Sequence, residues 1–276
     1  MILSFHRHVK GDVNLRLTLK GPFAEAQSRA ISLARGVVLP QSVKSDPYQF
    51  CSSRCSHVFP DYTHRFGFEG KYGNIKLFRQ FHAPHPETNC YESVEDFVSR
   101  HHKNENPLLP FPFVLKADRG GGGWGVFLVR NGQDLMDRLK ILDDVGRHPT
   151  KRFIAQQFIP HKGRDLRVVV IGKHMKAYWR CQQEPGEFRN NVGRGAVIND
   201  LLDPELTEKA IRCVERFCAR TGINLAAFDV LFDRTHREPE PLLSEINFCF
   251  GRKGLGGSRR FYELLNQAVR KWAMGL

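Results

Sequence analysis

The sequence predicts an α+β fold built from many hairpins. Three observations carry that prediction. Leu206, Ala210, Ile211, Val214, Phe217 and Cys218 recur at helical spacing and make one apolar stripe. Short apolar runs at 113–116 and 126–129 lie between turn signals, as strands do. Two more runs, 166–171 and 175–180, flank Gly172-Lys173 and read as one hairpin.

Taken in order, residues 1–70 have an irregular pattern. Residues 22–36 read as a helix, with Phe23, Ala26, Ala30 and Ala34 at roughly helical spacing and Gly36 as its stop. Residues 46–70, rich in Pro, Ser, Cys, His and aromatics, read as loop. A short helix over 72–81 is halted by Ala83-Pro84-His85-Pro86, since proline lacks an N–H and disfavours helix at the residue before it. Ser93 caps a helix running to His102. The strands 113–116 and 126–129 bracket a glycine run; a helix over 132–145 and a strand over 153–159 follow. After the hairpin, Asp203 and Pro204 open a helix that Gly222 closes. Strands 226–232 and 242–248 come next. A last helix, from Ser258, puts Phe261, Leu264, Leu265, Ala268, Val269 and Trp272 on one face.

Composition narrows the function. Of 276 residues, 41% are hydrophobic and 11% aromatic, enough to offset chain entropy and exclude general disorder. No apolar run nears the roughly 18 residues a membrane span needs. The opening MILSFHRHVKGD has too short an apolar stretch for a signal peptide, so a cytoplasmic location is expected. Lys and Arg total 42 against 29 Asp and Glu, a net +13 that attracts anions such as nucleotides, nucleic acid or acidic peptides. Seven cysteines, scattered and odd in number, read as reduced thiols. Cys51-x3-Cys55 with His57 and His64 fits a zinc spacing only loosely, and loop thiols are the simpler reading.

Three constellations carry chemistry. Gly120, Gly121, Gly122 and Gly123 join two strands and lack the Gly-Lys-Ser/Thr ending of a Walker loop. Such a hairpin tip either lies over phosphates, its N–H groups unobstructed by Cβ atoms, or is a plain mobile turn. Lys116 adds a charge beside it. Asp229 lies within an apolar strand, and Glu245 and Asn247, two apart, share one side of the next. A buried carboxylate is costly unless it is paired or metal-bound. Three oxygen ligands suit Mg²⁺ or Mn²⁺; a buried pair with arginine is the alternative. Arg164-Asp165-Leu166-Arg167, Arg180, Arg189 and Arg194 gather where hairpins end, as a carboxylate or phosphate fork or a solvated basic face.

In this order the motifs resemble the ATP-grasp superfamily, in its RimK-like branch of glutamate ligases, over about residues 71–250. Lys71 and the later Pro86-Glu-Thr88 resemble the segment with the first ATP-binding lysine. Lys116 with Gly120–Gly123 resembles the second lysine and the phosphate-covering lid. Gln156, Gln157, Phe158 and Ile159 match the adenine-contacting strand, where many members have Glu in place of Gln157. Asp165 and Arg167 match Asp-x-Arg; Gly186-Glu-Phe-Arg189-Asn-Asn191 and Arg194-Gly195 match Gly-Asp-Phe-Arg-x-Asn and Arg-Gly-Gly. Asp229, Glu245 and Asn247 match the metal triad. Two departures stand out: Phe248-Cys249-Phe250-Gly251 replaces Ser-Pro-Gly after Asn247, and only about 70 residues precede Lys71.

The resemblance implies an ATP-grasp fold, with 1–70 a trimmed pre-ATP-grasp region and 71–276 the ATP-grasp domain (a lid over about 90–155 and a core over 156–276). It implies an ADP-forming carboxylate–amine ligase that works through an acylphosphate, adding glutamate or another amino acid to a peptide, protein or small molecule. ATP and two Mg²⁺ or Mn²⁺ ions are the implied cofactors. Lys71, Lys116 and Asp165 would serve the nucleotide; Asp229, Glu245 and Asn247 the metal; Arg167, Arg180 and Asn191 the chemistry; Arg189 and Arg194 an acidic acceptor. A homo-oligomer fits this branch, whereas membrane and nucleic acid are not expected partners. The rival readings are a non-catalytic ATP-binding scaffold and a basic nucleic-acid-binding protein.

Overall fold

The computed structural model describes residues 1–17, 24–102, 108–144 and 150–276. Three sheets follow one another along it. The first contains β1 (Ile2–Ser4), β2 (Val13–Asn14), β3 (Gly36–Val38) and β4 (Val58–Phe59), with α1 (Glu25–Leu33) and α2 (Ser45–Ser52) between them. Its strands run parallel in the order β2-β1-β3-β4. This corrects the sequence reading twice. Residues 46–70 are not all loop, since α2 and β4 lie there. Gly36 opens a strand instead of stopping a helix: a Cβ there would meet the Trp272 ring at 2.7 Å. The start of the expected 22–36 helix lies outside the described residues.

The second sheet is a cover. It is built from α3 (Gly70–Gln80), β5 (Thr88–Tyr91), α4 (Val94–His102), β6 (Phe113–Ala117), β7 (Val126–Val129), α5 (Gly132–Asp143) and β8 (Phe153–Gln157). Its antiparallel order is β5-β8-β6-β7. Ser93 Oγ accepts from the Asp96 N–H at 3.2 Å, and Asn131 Oδ1 from the Asp134 N–H at 2.9 Å, so both helices have side-chain N-caps. Phe113, Leu115 and Ala117 pack with Phe97, Leu135 and Leu139 in one core. By the strand's period of two, Val114 and Lys116 turn to the opposite face. Residue 145, the last of the helix expected over 132–145, lies outside the described residues.

The third sheet is the floor. β9 (Arg164–Ile171), β10 (His174–Cys181), β11 (Val197–Asn199), β12 (Leu225–Phe232) and β13 (Pro241–Asn247) run antiparallel in the order β11-β10-β9-β12-β13. The β9–β10 hairpin turns at Gly172-Lys173, as its sequence predicts, with Ile171 opposite His174. One face, with Val168, Val170, Phe228 and Val230, packs on α6 (Pro204–Thr221). The other, with Val169, Ile171, Leu225 and Ala227, packs on α7 (Gly257–Met274). Continuing that second face along the strands gives Arg167 and Asp165 on β9 and Asp229 on β12, where apolar cover gives way to charge. Asp203 occupies the N-cap position of α6 at φ 40°, but its side chain does not cap the helix. It pairs with Arg164 at 2.8 Å, while its backbone carbonyl accepts from Thr207. Among the described residues no helix is long and apolar enough to cross a membrane.

Candidate active site

The floor of the site follows from strand register. Arg167 of β9 lies opposite Asp229 of β12, which lies opposite Glu245 of β13; Asn247 is two residues on. Arg180 of β10 lies opposite Asp165 of β9. Arg167 forks onto Asp229 at 2.7 and 2.8 Å, and Arg180 forks onto Asp165 at 2.7 Å for both bonds. Arg180 also reaches Asp229 at 3.1 Å. Asn247 Nδ2 donates to Asp229 at 3.3 Å. Burial opposes a charge on Asp229, but Arg167 and Arg180 outweigh it and hold the carboxyl well below the usual range. Burial, helped by the charge of Asp229, pushes Asp165 up despite its fork with Arg180. Arg180 itself is raised: burial opposes its charge, but Asp165 and Asp229 prevail.

Two lysines face this floor from other elements. Asn74 Oδ1 of α3 accepts from the Ile246 N–H at 2.8 Å, fixing the helix against β13. One turn earlier, buried Lys71 reaches Glu245 at 3.6 Å and the Gly120 carbonyl at 3.4 Å. Asp118 caps that turn from the start of the glycine run, accepting from the Tyr72 N–H at 2.9 Å. Gly70 is required there, because at φ 78° its Cβ would strike the Asp118 carboxylate at 2.2 Å. Lys116 donates to Gln156 at 2.6 Å and Ser244 at 3.2 Å, neither of them charged. Gln156 in turn donates to Thr88 at 2.9 Å. Burial lowers the Lys116 pKa to about 8, against the pull of Glu245.

The glycine run is held over the site. Arg194 Nε donates to the Gly122 carbonyl at 2.8 Å, and Arg189 Nη1 to the Gly123 carbonyl at 3.1 Å. Glu187 forks onto Arg189 at 2.8 and 2.6 Å. Gly123, at φ 75°, sits so near Asn191 that a Cβ would lie 2.6 Å from its Oδ1.

Together these groups line one cavity of about 490 Å³. The structure brings to it every residue to which the resemblance gives a site role except Arg194: Lys71, Lys116, Gly120, Gly121, Gly122, Gly123, Gln156, Gln157, Phe158, Ile159, Asp165, Arg167, Arg180, Arg189, Asn191, Asp229, Glu245 and Asn247. Arg194 lies outside, clamped to the glycine run. Sequence reading missed Tyr178, which lies opposite Arg167 and lines the cavity, and Ser244, the partner of Lys116. It also missed Asp118 and Glu187. Only Ser244 had a readable signal, beside Glu245 in the same apolar strand.

The donor set bears on a metal. Among the described residues no group of three or more His, Cys, Asp and Glu side chains is placed to hold one. Asp229, Glu245 and Asn247 are two carboxylates and an amide, and they offer oxygen only. That chemistry fits Mg²⁺ or Mn²⁺, which take few protein oxygens and keep water and phosphate ligands. The zinc spacing has a different outcome. Cys51 lies in α2 and Cys55 in the loop that follows it, and both are buried in the core. Burial, then Cys55, pushes the Cys51 thiol up to about 12, and Cys55 Sγ donates to the carbonyls of Ala34 and His57.

The comparisons agree with this geometry. A family model described as the RimK-like ATP-grasp domain matches residues 69–256. A probable α-L-glutamate ligase of Xanthomonas oryzae pv. oryzae is 31% identical over 175 residues, covering 60% of this chain and 55% of that one. One from an Enterobacter species is 31% identical over 147 residues, covering 52% and 45%. The chain thus spans about half the length of the curated relatives it matches. The solved RimK domain ATP-grasp protein of Sphaerobacter thermophilus superposes with a TM-score of 0.53 at 18% identity, over 85% of this chain and 81% of that one. Its fold is therefore ATP-grasp, and because the family model covers well over half of its residues, the chain belongs to the RimK-like ATP-grasp family.

Proposed function

We propose that this chain is an ADP-forming ligase that uses ATP to join a carboxylate to an amine. One observation carries the reading: Lys71, Lys116 and the Asp229–Glu245–Asn247 group face each other across a single cavity under a glycine-rich cover. A substrate carboxylate oxygen would attack the γ-phosphorus, releasing ADP and leaving an acylphosphate. The amine would then attack the acyl carbon, lose a proton and expel phosphate, leaving an amide. Such chemistry asks for positioning and charge stabilisation more than for a protein nucleophile.

Lys71 and Lys116 bind phosphate oxygens in this account, while Gln156, Gln157, Phe158 and Ile159 form the base end of the cavity. Asp229, Glu245 and Asn247 would hold Mg²⁺ or Mn²⁺, which supplies positive charge to the phosphates. Arg167 and Arg180 offset negative charge on the transferring group, with Asp165 holding Arg180 in place. Asn191, Arg189 and Arg194 keep the glycine run closed and water out. The names of the relatives support glutamate as the added amino acid. We read 1–70 as a pre-ATP-grasp region and 71–276 as the ATP-grasp domain.

The test is ADP release with Mg²⁺, ATP, glutamate and a panel of peptide carboxylates, with the amide product followed by mass spectrometry. The expected result is ADP and amide in equal amounts. ATP binding with no amide from any pair would leave the scaffold reading in its place.

A further inference from the structure

A second cavity, of about 440 Å³, adjoins the first. One wall is β7; the other is the loop carrying Gly186, Glu187, Phe188 and Arg189. Val126, Phe188 and Arg189 line both cavities, so the two share a wall. Among the described residues β7 is the last strand of its sheet and pairs only with β6. Phe113 lies opposite Val129 and Leu115 opposite Phe127. The Ala117 N–H donates to the Gly125 carbonyl at 2.8 Å, which marks this set as the hydrogen-bonded pairs. The N–H and C=O of Val126 and Leu128 therefore point away from β6, into the groove. An open edge of this kind is a template for one more strand.

Charge says what that strand carries. Arg130 and Arg138 also line the groove, and neither forms an ion pair among the described residues. Arg138 lies over the Phe127 ring at 5.4 Å, and its Nε is buried with no hydrogen-bond partner. A buried, unsatisfied guanidinium N–H is costly and is relieved by an acceptor, best of all a carboxylate. Glu187, the acidic residue of the groove, is already forked onto Arg189. Residues 126–128 span about 10 Å, room for three paired residues.

We propose that this groove docks an extended acidic peptide segment, which adds to β7 as a fifth strand and holds its reactive end at the wall shared with the first cavity. This deepens the ligase reading and rests on it for the role of the docked segment: the acceptor is a polypeptide, read by backbone pairing and by Arg130 and Arg138.

Fluorescence anisotropy tests it. The probe is a labelled octapeptide alternating glutamate and valine. Two control peptides replace glutamate with lysine, or carry N-methyl groups on every second amide. ATP binding is measured on the same samples. The acidic peptide is expected to bind about tenfold more tightly than either control, and to lose about tenfold in the Arg130→Gln, Arg138→Gln double variant. Equal binding of the N-methylated peptide would overturn strand addition, and equal binding by the double variant would overturn the charge reading. An eight-uridine RNA that displaces the peptide and depends on both arginines would overturn the peptide as occupant. Protein that binds the peptide but not ATP supports the groove and sinks the ligase reading. Protein that binds ATP but not the peptide sinks the groove alone.

Discussion

The two walls of the cleft handle charge in opposite ways. On the floor, Asp165 and Asp229 are locked by Arg180 and Arg167 in forked pairs between adjacent strands. On the cover, Lys116 rests on two neutral groups, Gln156 and Ser244. The floor is compensated and pre-organised, while the cover keeps a cation whose charge burial disfavours. The contrast teaches where an anion gains most. It gains beside Lys116, whereas the floor arginines serve as a rigid frame whose charge is already balanced.

Breaking the frame has the largest expected effect. Arg180→Met removes a side chain that is only 5% exposed, strands Asp165 and leaves Asp229 with Arg167 alone. Unpairing buried charges costs about 3–5 kcal/mol, to be read by urea unfolding. Near-wild-type stability would show that the floor is solvated, not locked.

Next is Glu245→Ala, which takes one oxygen donor from the floor without opening a fork. The fold should persist, while ADP release falls by about 10²–10³-fold, the scale of losing one electrostatic stabiliser. Unchanged release would remove Glu245 from the site.

Gly123→Ala sharpens the comparison from the cover. Its Cβ would lie 2.6 Å from Asn191 and 3.0 Å from Arg194, at φ 75°. About 1–3 kcal/mol of strain should open the glycine run. The readout is faster hydrolysis of ATP without amide formation, because water then enters.

The smallest effect is on pH dependence. Lys116 in the folded protein titrates near 8, against a usual lysine value of 10.5. Between those values the unfolded chain holds a proton that the folded one has lost, so stability rises with pH across that window. Affinity for ATP moves the other way: it should fall by about tenfold from pH 7 to pH 9 as Lys116 loses its charge. Calorimetry at several pH values checks this, and Lys116→Arg should flatten the curve.

What the sequence revealed follows the same division. Asp229, Glu245 and Asn247 were legible because a period of two puts Glu245 and Asn247 on one side, and a short turn makes β12 and β13 antiparallel neighbours. The Arg167–Asp229 fork was visible only as a generic alternative. β9 and β12 are adjacent only after β10, β11 and α6 intervene, and no local pattern encodes that order. For Asp229 the structure shows the ion pair with arginine that the sequence left open, with Glu245 and Asn247 beside it. In the first 60 residues, Ile2–Ser4, Gly36–Val38 and Val58–Phe59 are too short for alternation to show. The α2 segment, Ser-Asp-Pro-Tyr-Gln-Phe-Cys-Ser, has weak helix formers and is held by packing of Tyr48 and Cys51. Arg189 and Arg194 suggest a lure for an acidic acceptor, yet they bond to the glycine run and Glu187, which no spacing rule anticipates.

The central claim is that this cleft binds ATP together with a divalent ion held by the floor. Thermal unfolding with and without ATP and Mg²⁺ tests it most directly, in the wild type and in Glu245→Ala. A ligand at about 100 times its Kd stabilises the native state by roughly 2.7 kcal/mol, a rise of a few degrees in Tm. The account predicts that rise in the wild type with both present, and a much smaller one without Mg²⁺ or in the variant. No shift at saturating ATP, or the same shift in Glu245→Ala, would contradict it.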